Sequence, residues 1–337
     1  MTRRIKELTE LTLQGKMYVD TVNTDFDDND NMLSENERDI KHLCMYILNQ
    51  EPKITEYSML TGNFLFTDSI VGDAEGHIST KKALEKYCLN LQESLSIVEW
   101  QSATACYEMV LENGIVGIIN DINFYLDVYM DEPEKMDLLS SLRVVVTAFT
   151  EWTEKCSKRA KELIQATKSK KTKKRLEKLA EALKHSPKYA PRTFYEAIIS
   201  IYICFSIDSK GLGTLDRYLT PFYKNDIEKG TLTRKEAKEY LQELFLMIQA
   251  CTCVDSKSSI PSETSCFSIG GYLPNQDDSF NDVSRLIVEA LIELPTCFPK
   301  ITLRLTEKTP KDVLRYMMKM ERRDKYNRIT LTSEKSE

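Results

Sequence analysis

Residues 191–249 read PRTFYEAIISIYICFSIDSKGLGTLDRYLTPFYKNDIEKGTLTRKEAKEYLQELFLMIQ. Three helical periods lie in this stretch, joined by short polar connections. The first begins at Pro191-Arg192-Thr193, where proline suits a first helical turn and the threonine hydroxyl can cap free backbone N–H groups. Ala197, Ile198, Ile201, Tyr202 and Phe205 then make it apolar nearly all round, the pattern of a buried helix. A stripe of Leu215, Tyr218, Leu219, Phe222 and Tyr223 predicts the second helix. Gly230-Thr231-Leu232-Thr233 is a stop followed by a start: Gly230 ends one helix, Thr233 caps the next, and Glu236 completes a capping box. The third helix is predicted from Arg234 to about Ala250. Between the first two, Asp208-Ser209-Lys210-Gly211-Leu212-Gly213 offers two glycines for a tight backbone path.

Downstream the period changes. Residues 251–263 predict a loop, and Thr264–Gly271 a buried strand closed by a glycine pair. A helix is expected over 280–294 and a second strand over Pro299–Leu305. Thr309-Pro310 then starts a helix through Met320, with the threonine as cap and the proline in the first turn. A third strand is expected over Asn327–Thr332. Strands alternating with helices at this spacing predict a parallel βαβαβ arrangement with right-handed crossovers.

Upstream, Ile5, Leu8, Leu11 and Leu13 predict an amphipathic helix over 3–20. Residues 21–35 are rich in Asp and Asn but lack the central glycine and distal glutamate of a calcium loop, so a solvated acidic loop is expected. A helix follows from near Ser34, with Glu37 completing a capping box, to about Asn49. A short extended segment is expected over 60–66 and a helix over 80–97. A loop of small polar residues from Trp100 leads into a helix that stops at Gly114, where another begins. Residues 134–184 predict two long helices with a turn near Thr167–Thr172. The charges from Lys155 to Lys178 are overwhelmingly basic, but no aromatic side chains are interleaved for base stacking. A solvated helical face is the expectation there.

The 337 residues allow one large domain or two ordinary ones. A net charge of −6 argues against nucleic acid as a partner. The absence of a long apolar run or an apolar N-terminal region predicts a cytoplasmic chain, neither spanning a membrane nor secreted. Nine cysteines without CxxC spacing fit reduced thiols, and the three isolated histidines, His42, His77 and His185, do not suggest a metal site. Cys251-Thr252-Cys253 has no further ligand pair nearby. Gly211-Leu212-Gly213 lacks the third glycine of a dinucleotide fingerprint. Asp216 and Arg217 read as structural polar groups behind the aromatic stripe.

Several of these motifs resemble the pyruvate formate-lyase-like domain of glycyl radical enzymes. They are Pro191–Ala197, Gly213–Tyr223, Asp226–Thr233, the run Gly114–Ile119, Ser268–Gly271 and Lys300–Leu305. The resemblance implies a mostly helical α/β fold in a single domain over 1–337: a helical region at 1–190, then helices and the first parallel strands of an incomplete ten-stranded barrel at 191–337. It also implies a lyase or dehydratase that cleaves a C–C, C–O or C–N bond in a small organic substrate. The family binds no small cofactor for this; a radical-SAM activase installs a glycyl radical, which a cysteine relays as a thiyl radical. Neither the Gly-Cys-x-Glu-like nor the Arg-Val-x-Gly-Tyr-like motif of that chemistry occurs in this sequence. The expectation is therefore an N-terminal portion, inactive alone, whose partner is a C-terminal half or a full-length homologue, and whose open sheet edge favours self-association. By position in the family, Trp100, Ser102, Asp208, Ser209, Ser268 and Leu305 are expected to face the substrate. A non-catalytic helical scaffold or regulatory binding protein derived from the same fold is the alternative.

Overall fold

The computed structural model describes residues 1–14, 16–17, 35–61, 106–208, 211–252 and 266–333. Its helices are α1 (Arg3–Leu13), α2 (Glu35–Asn49), α3 (Tyr107–Val128), α4 (Pro133–Ala166), α5 (Lys170–His185), α6 (Phe194–Asp208), α7 (Leu215–Glu228) and α8 (Arg234–Thr252). Then follow β1 (Cys266–Gly270), α9 (Asp282–Ile292), β2 (Lys300–Leu305), α10 (Lys311–Arg323) and β3 (Ile329–Ser333). The three strands form one parallel sheet in the order β1-β2-β3, as the alternating pattern predicts. The expected acidic loop over 21–35, extended segment over 60–66 and helix over 80–97 lie wholly or mainly outside the described residues.

The opening stretch is the centre of the molecule. Ile198, Ile201, Tyr202 and Phe205 on α6 are buried, as are Leu241, Leu244, Phe245 and Ile248 on α8. Burying each such side chain stabilises the fold by about 1.5–3 kcal/mol. α8 contacts α1, α6 and α9, and so joins the helical region to the sheet. At its start, Thr233 Oγ1 accepts from Glu236 N at 3.2 Å and Glu236 Oε2 accepts from Thr233 N at 2.9 Å. That is the capping box expected from the sequence.

Two other helix starts differ from expectation. Thr193 caps α6, accepting from Glu196 N at 3.2 Å, so Pro191 precedes the cap instead of sitting in the first turn. Asp226 adds a long-range cap, taking Phe194 N at 2.8 Å. At α10 the cap position is Pro310, and Thr309 gives its hydroxyl to Asp278. The chemistry of an Asp-Thr pair 31 residues apart displaced the local cap. Helix α1 is shorter than expected, and Leu13 at its end is exposed.

A buried carboxylate fastens the N-terminal region. Glu243 on α8 accepts from Met59 N at 2.6 Å, from Leu60 N at 2.8 Å and from the guanidinium of Arg4. Arg4 also donates to Tyr57 O at 3.1 Å and to Glu239 at 3.3 Å. Charge, donors and acceptors are thus matched in a site from which water is excluded. Helix α3 bends at Gly114, whose φ of +65° lets the chain turn against residues 187–190. There Ile115 N and Val116 N donate to Pro187 O and Lys188 O, each at 3.0 Å.

Candidate functional site

Successive residues of a strand point to opposite faces, so the register sorts the sheet into two chemistries. Phe267 and Ile269 align with Ile301 and Leu303, and these with Ile329 and Leu331. Over β1 and β2 this face is buried, with the Phe267 ring stacked on Phe245 of α8 at 5.8 Å, while Leu331 at the edge is exposed. The other face carries Cys266 and Ser268 on β1, Lys300, Thr302 and Arg304 on β2, and Thr330 and Thr332 on β3. Thr302 and Thr330 share a hydrogen bond of 3.0 Å between their hydroxyls. A parallel sheet is ordinarily apolar on both faces; here one face is built of hydroxyls, a thiol and cations.

Tyr107, the first residue of α3, donates its buried hydroxyl to Gly211 O at 2.8 Å. This ties the start of α3 to the segment that leads into α7. Residues 211–214 then run alongside β1: Leu212 N donates to Cys266 O at 3.2 Å, Ser268 N donates to Gly213 O at 2.8 Å, and Thr214 bridges Ser268 in parallel. Nothing in the sequence signalled this pairing, because so short an extended piece has no period to read.

Asp216 and Arg217 hold the far end of β1. The Asp216 carboxylate is buried and accepts from Gly270 N at 3.0 Å, Ser284 Oγ at 2.6 Å and Arg217 N at 3.0 Å. Burial pushes its pKa up, and the Ser284 and Gly270 hydrogen bonds oppose that rise. Arg217 donates to Gly270 O at 3.2 Å and Tyr272 O at 2.6 Å. The pair clamps β1 to α7 and α9, the structural role read from the sequence, although its partners lie over fifty residues away.

Of the residues expected to face substrate, Ser268 sits half-buried on the polar face, next to the bridge with Thr214. Asp208 is the last residue of α6. Trp100, Ser102 and Ser209 lie outside the described residues. Leu305 requires a correction: its register parity is that of Ile301 and Leu303, and it packs against the hydrophobic core. It therefore shares no wall with Ser268.

Thiols divide by burial. Cys156 is buried and Cys204 partly buried, and burial pushes their pKa values up, Cys204 to about 12. Cys106 and Cys266 are exposed at the start of α3 and on the polar face of β1. Among the described residues no three His, Cys, Asp or Glu side chains are grouped to hold a metal ion. Nor is any described helix long and apolar enough to cross a membrane.

This helical platform with a half-polar parallel sheet corresponds to a known architecture. The pyruvate formate lyase-like family matches residues 93–335. The chain belongs to that family, whose relatives are glycyl radical enzymes. It is 26% identical over 227 residues to an isethionate sulfite-lyase of Bilophila wadsworthia, covering 62% of this chain and 27% of the relative. It is 24% identical over 239 residues to a trans-4-hydroxy-L-proline dehydratase of Clostridioides difficile, covering 65% of this chain and 30% of that protein. In three dimensions it is similar to the B12-independent glycerol dehydratase of Clostridium butyricum, solved with glycerol bound. That match has a TM-score of 0.75 at 18% identity and covers 96% of this chain and 50% of the other. The chain spans about half the length of the solved structures it matches.

Proposed function

We propose that this chain forms the N-terminal, substrate-facing part of a glycyl radical lyase or dehydratase. The observation that carries the reading is the polar face of the sheet, beside which the start of α3 and the segment that leads into α7 are held by Tyr107–Gly211 and Gly213–Ser268. In this reading Ser268 and the Trp100, Ser102, Asp208 and Ser209 loops contribute one wall of a pocket for a small polar molecule. Leu305 belongs to packing instead. The hydroxyls, Lys300 and Arg304 on this face suit a substrate bearing oxygen functions. An enclosed interior suits a radical, because it excludes water and holds the reacting atoms in place.

The chemistry itself needs a glycine loop to store the radical and a cysteine to relay it, and a second segment supplies both. It docks along the outer edge of β3, which pairs with no further strand among the described residues. Such an edge also promotes self-association when left open. The experiment is anaerobic co-expression of this chain with the C-terminal part of a related enzyme, then treatment with a radical-SAM activase and electron paramagnetic resonance. A glycyl signal and turnover in the mixture only is the expected result. A glycyl signal from this chain alone would overturn the assignment. Silence in both samples would favour a non-catalytic scaffold of the same fold.

A further inference from the structure

Between the last turns of α9 and α10 lies a groove of about 600 Å³, the volume of a small-molecule site. Glu289, Ile292 and Glu293 line it from α9. They are three and four residues apart, so they share one face of that helix. Met320, Arg322 and Arg323 line it from α10, and Lys325 from just beyond. No residue of the sheet takes part, which makes the groove separate from the polar face.

The two sides of the groove differ in how their charges are matched. Both carboxylates of α9 are already held by α8. Glu289 accepts from both terminal nitrogens of Arg234, at 2.8 and 3.0 Å. Glu293 accepts from Lys238 at 2.7 Å and Gln242 at 2.9 Å, with the Met1 amine at 3.4 Å. Neither carboxylate is left over for a cationic ligand. Arg322, Arg323 and Lys325 are exposed and are in no ion pair among the described residues. Glu321, their neighbour on α10, does not line the groove. Burial pushes the Tyr316 phenol up to about 12, and Arg285, Arg234 and Arg323 act against that rise. Cations from α8 and α10 therefore converge near one side chain. Carbonyls at a helix C-terminus oppose an anion, but several here are taken. Asp324 N donates to Met320 O at 3.0 Å and to Glu321 O at 3.1 Å, and Arg328 donates to Leu294 O at 3.2 Å.

We propose that this groove binds a small organic phosphate, with Arg322, Arg323 and Lys325 on the phosphate and Ile292 and Met320 beneath the organic part. Guanidinium forks match phosphate oxygens two at a time, and three unmatched cations suit a dianion. Met320 is buried and Ile292 half-buried, an apolar floor that a bare inorganic anion leaves unused.

The test needs no radical chemistry and uses the chain as it is. Phosphorus NMR follows titrations with phenyl phosphate and with inorganic phosphate at about 0.15 M ionic strength, where diffuse attraction is largely screened. Both probes should show saturable line broadening, phenyl phosphate at the lower concentration. R322Q/R323Q should weaken the binding of both by roughly tenfold or more. K170Q/K171Q/K174Q removes three exposed cations of α5 and should change neither. All five positions are exposed, and circular dichroism confirms that each variant is folded. Failure to saturate, or equal affinity for R322Q/R323Q and the unaltered chain, would overturn the proposal. So would a comparable loss in K170Q/K171Q/K174Q, since general charge attraction would then account for binding. Inorganic phosphate binding as tightly as phenyl phosphate would overturn it too, because the apolar floor would then take no part.

Discussion

Two glycines with nearly the same backbone angle carry very different consequences. Gly114 has a φ of +65°, and a Cβ there would sit 2.5 Å from the backbone carbon of Tyr189. Gly230 has a φ of +67° with nothing within 4 Å of the same position. Replacing Gly230 by alanine should cost only the left-handed penalty, about 1–2 kcal/mol. Gly114→Ala adds a clash with backbone that cannot swing aside, and should destabilise by clearly more, detected as a larger drop in the urea midpoint. The capping glutamate sets a pH dependence. The Thr233 hydroxyl holds the Glu236 pKa below its usual value. At pH above the unfolded value of about 4.3 the charged cap stabilises in full. That contribution is lost as pH falls through the lower folded value. The stability difference between the unaltered chain and Glu236→Ala should therefore shrink on acidification, in denaturation curves taken between neutral and acid pH. Asp216→Asn puts an amide where three donors converge, and should cost about 1–3 kcal/mol.

Elements were legible where their signals are local. The Thr233–Glu236 box lies within about one turn, so four residues of sequence suffice to place the start of α8. The parallel sheet was legible because apolar strands and capped helices alternate at crossover spacing. The start of α10 was misread because Thr309 finds Asp278, which no neighbouring residue announces. The pairing of residues 211–214 with β1 was invisible for a related reason: it consists of backbone hydrogen bonds contributed by a few residues. For the candidate site, family position put Ser268 and Leu305 together. The pleat alone separates them, since an even and an odd residue in register cannot share a face. Thr233→Ala tests the local rule directly. It should lower stability by about 1 kcal/mol, and faster amide exchange should appear first in the opening turn of α8.

At the scale of the molecule, Glu243 is the point where the N-terminal residues join the rest. It is fully buried and serves Arg4, Met59 and Leu60 together. Glu243→Ala leaves two buried amides without an acceptor and takes from Arg4 its buried carboxylate, leaving it Glu239 and Tyr57 O, and breaking a buried charge pair costs about 3–5 kcal/mol. Hydrogen exchange should then rise in α1 and residues 54–61 before it rises in α6, whose burial does not depend on that carboxylate. An increase of equal size throughout would instead mean that the two regions unfold as one. The same contact has a consequence for synthesis on the ribosome. Arg4 and Glu243 are 239 positions apart, and chains emerge at about 5–20 residues per second, so α1 waits roughly 12–48 s for its acceptor. Through that interval Ile5 and Leu8, which end up fully enclosed, lack the α8 surface that α1 packs against. Among the described elements upstream of the sheet, α1 is thus one of the last to be secured, and a nascent-chain chaperone has a long opportunity there.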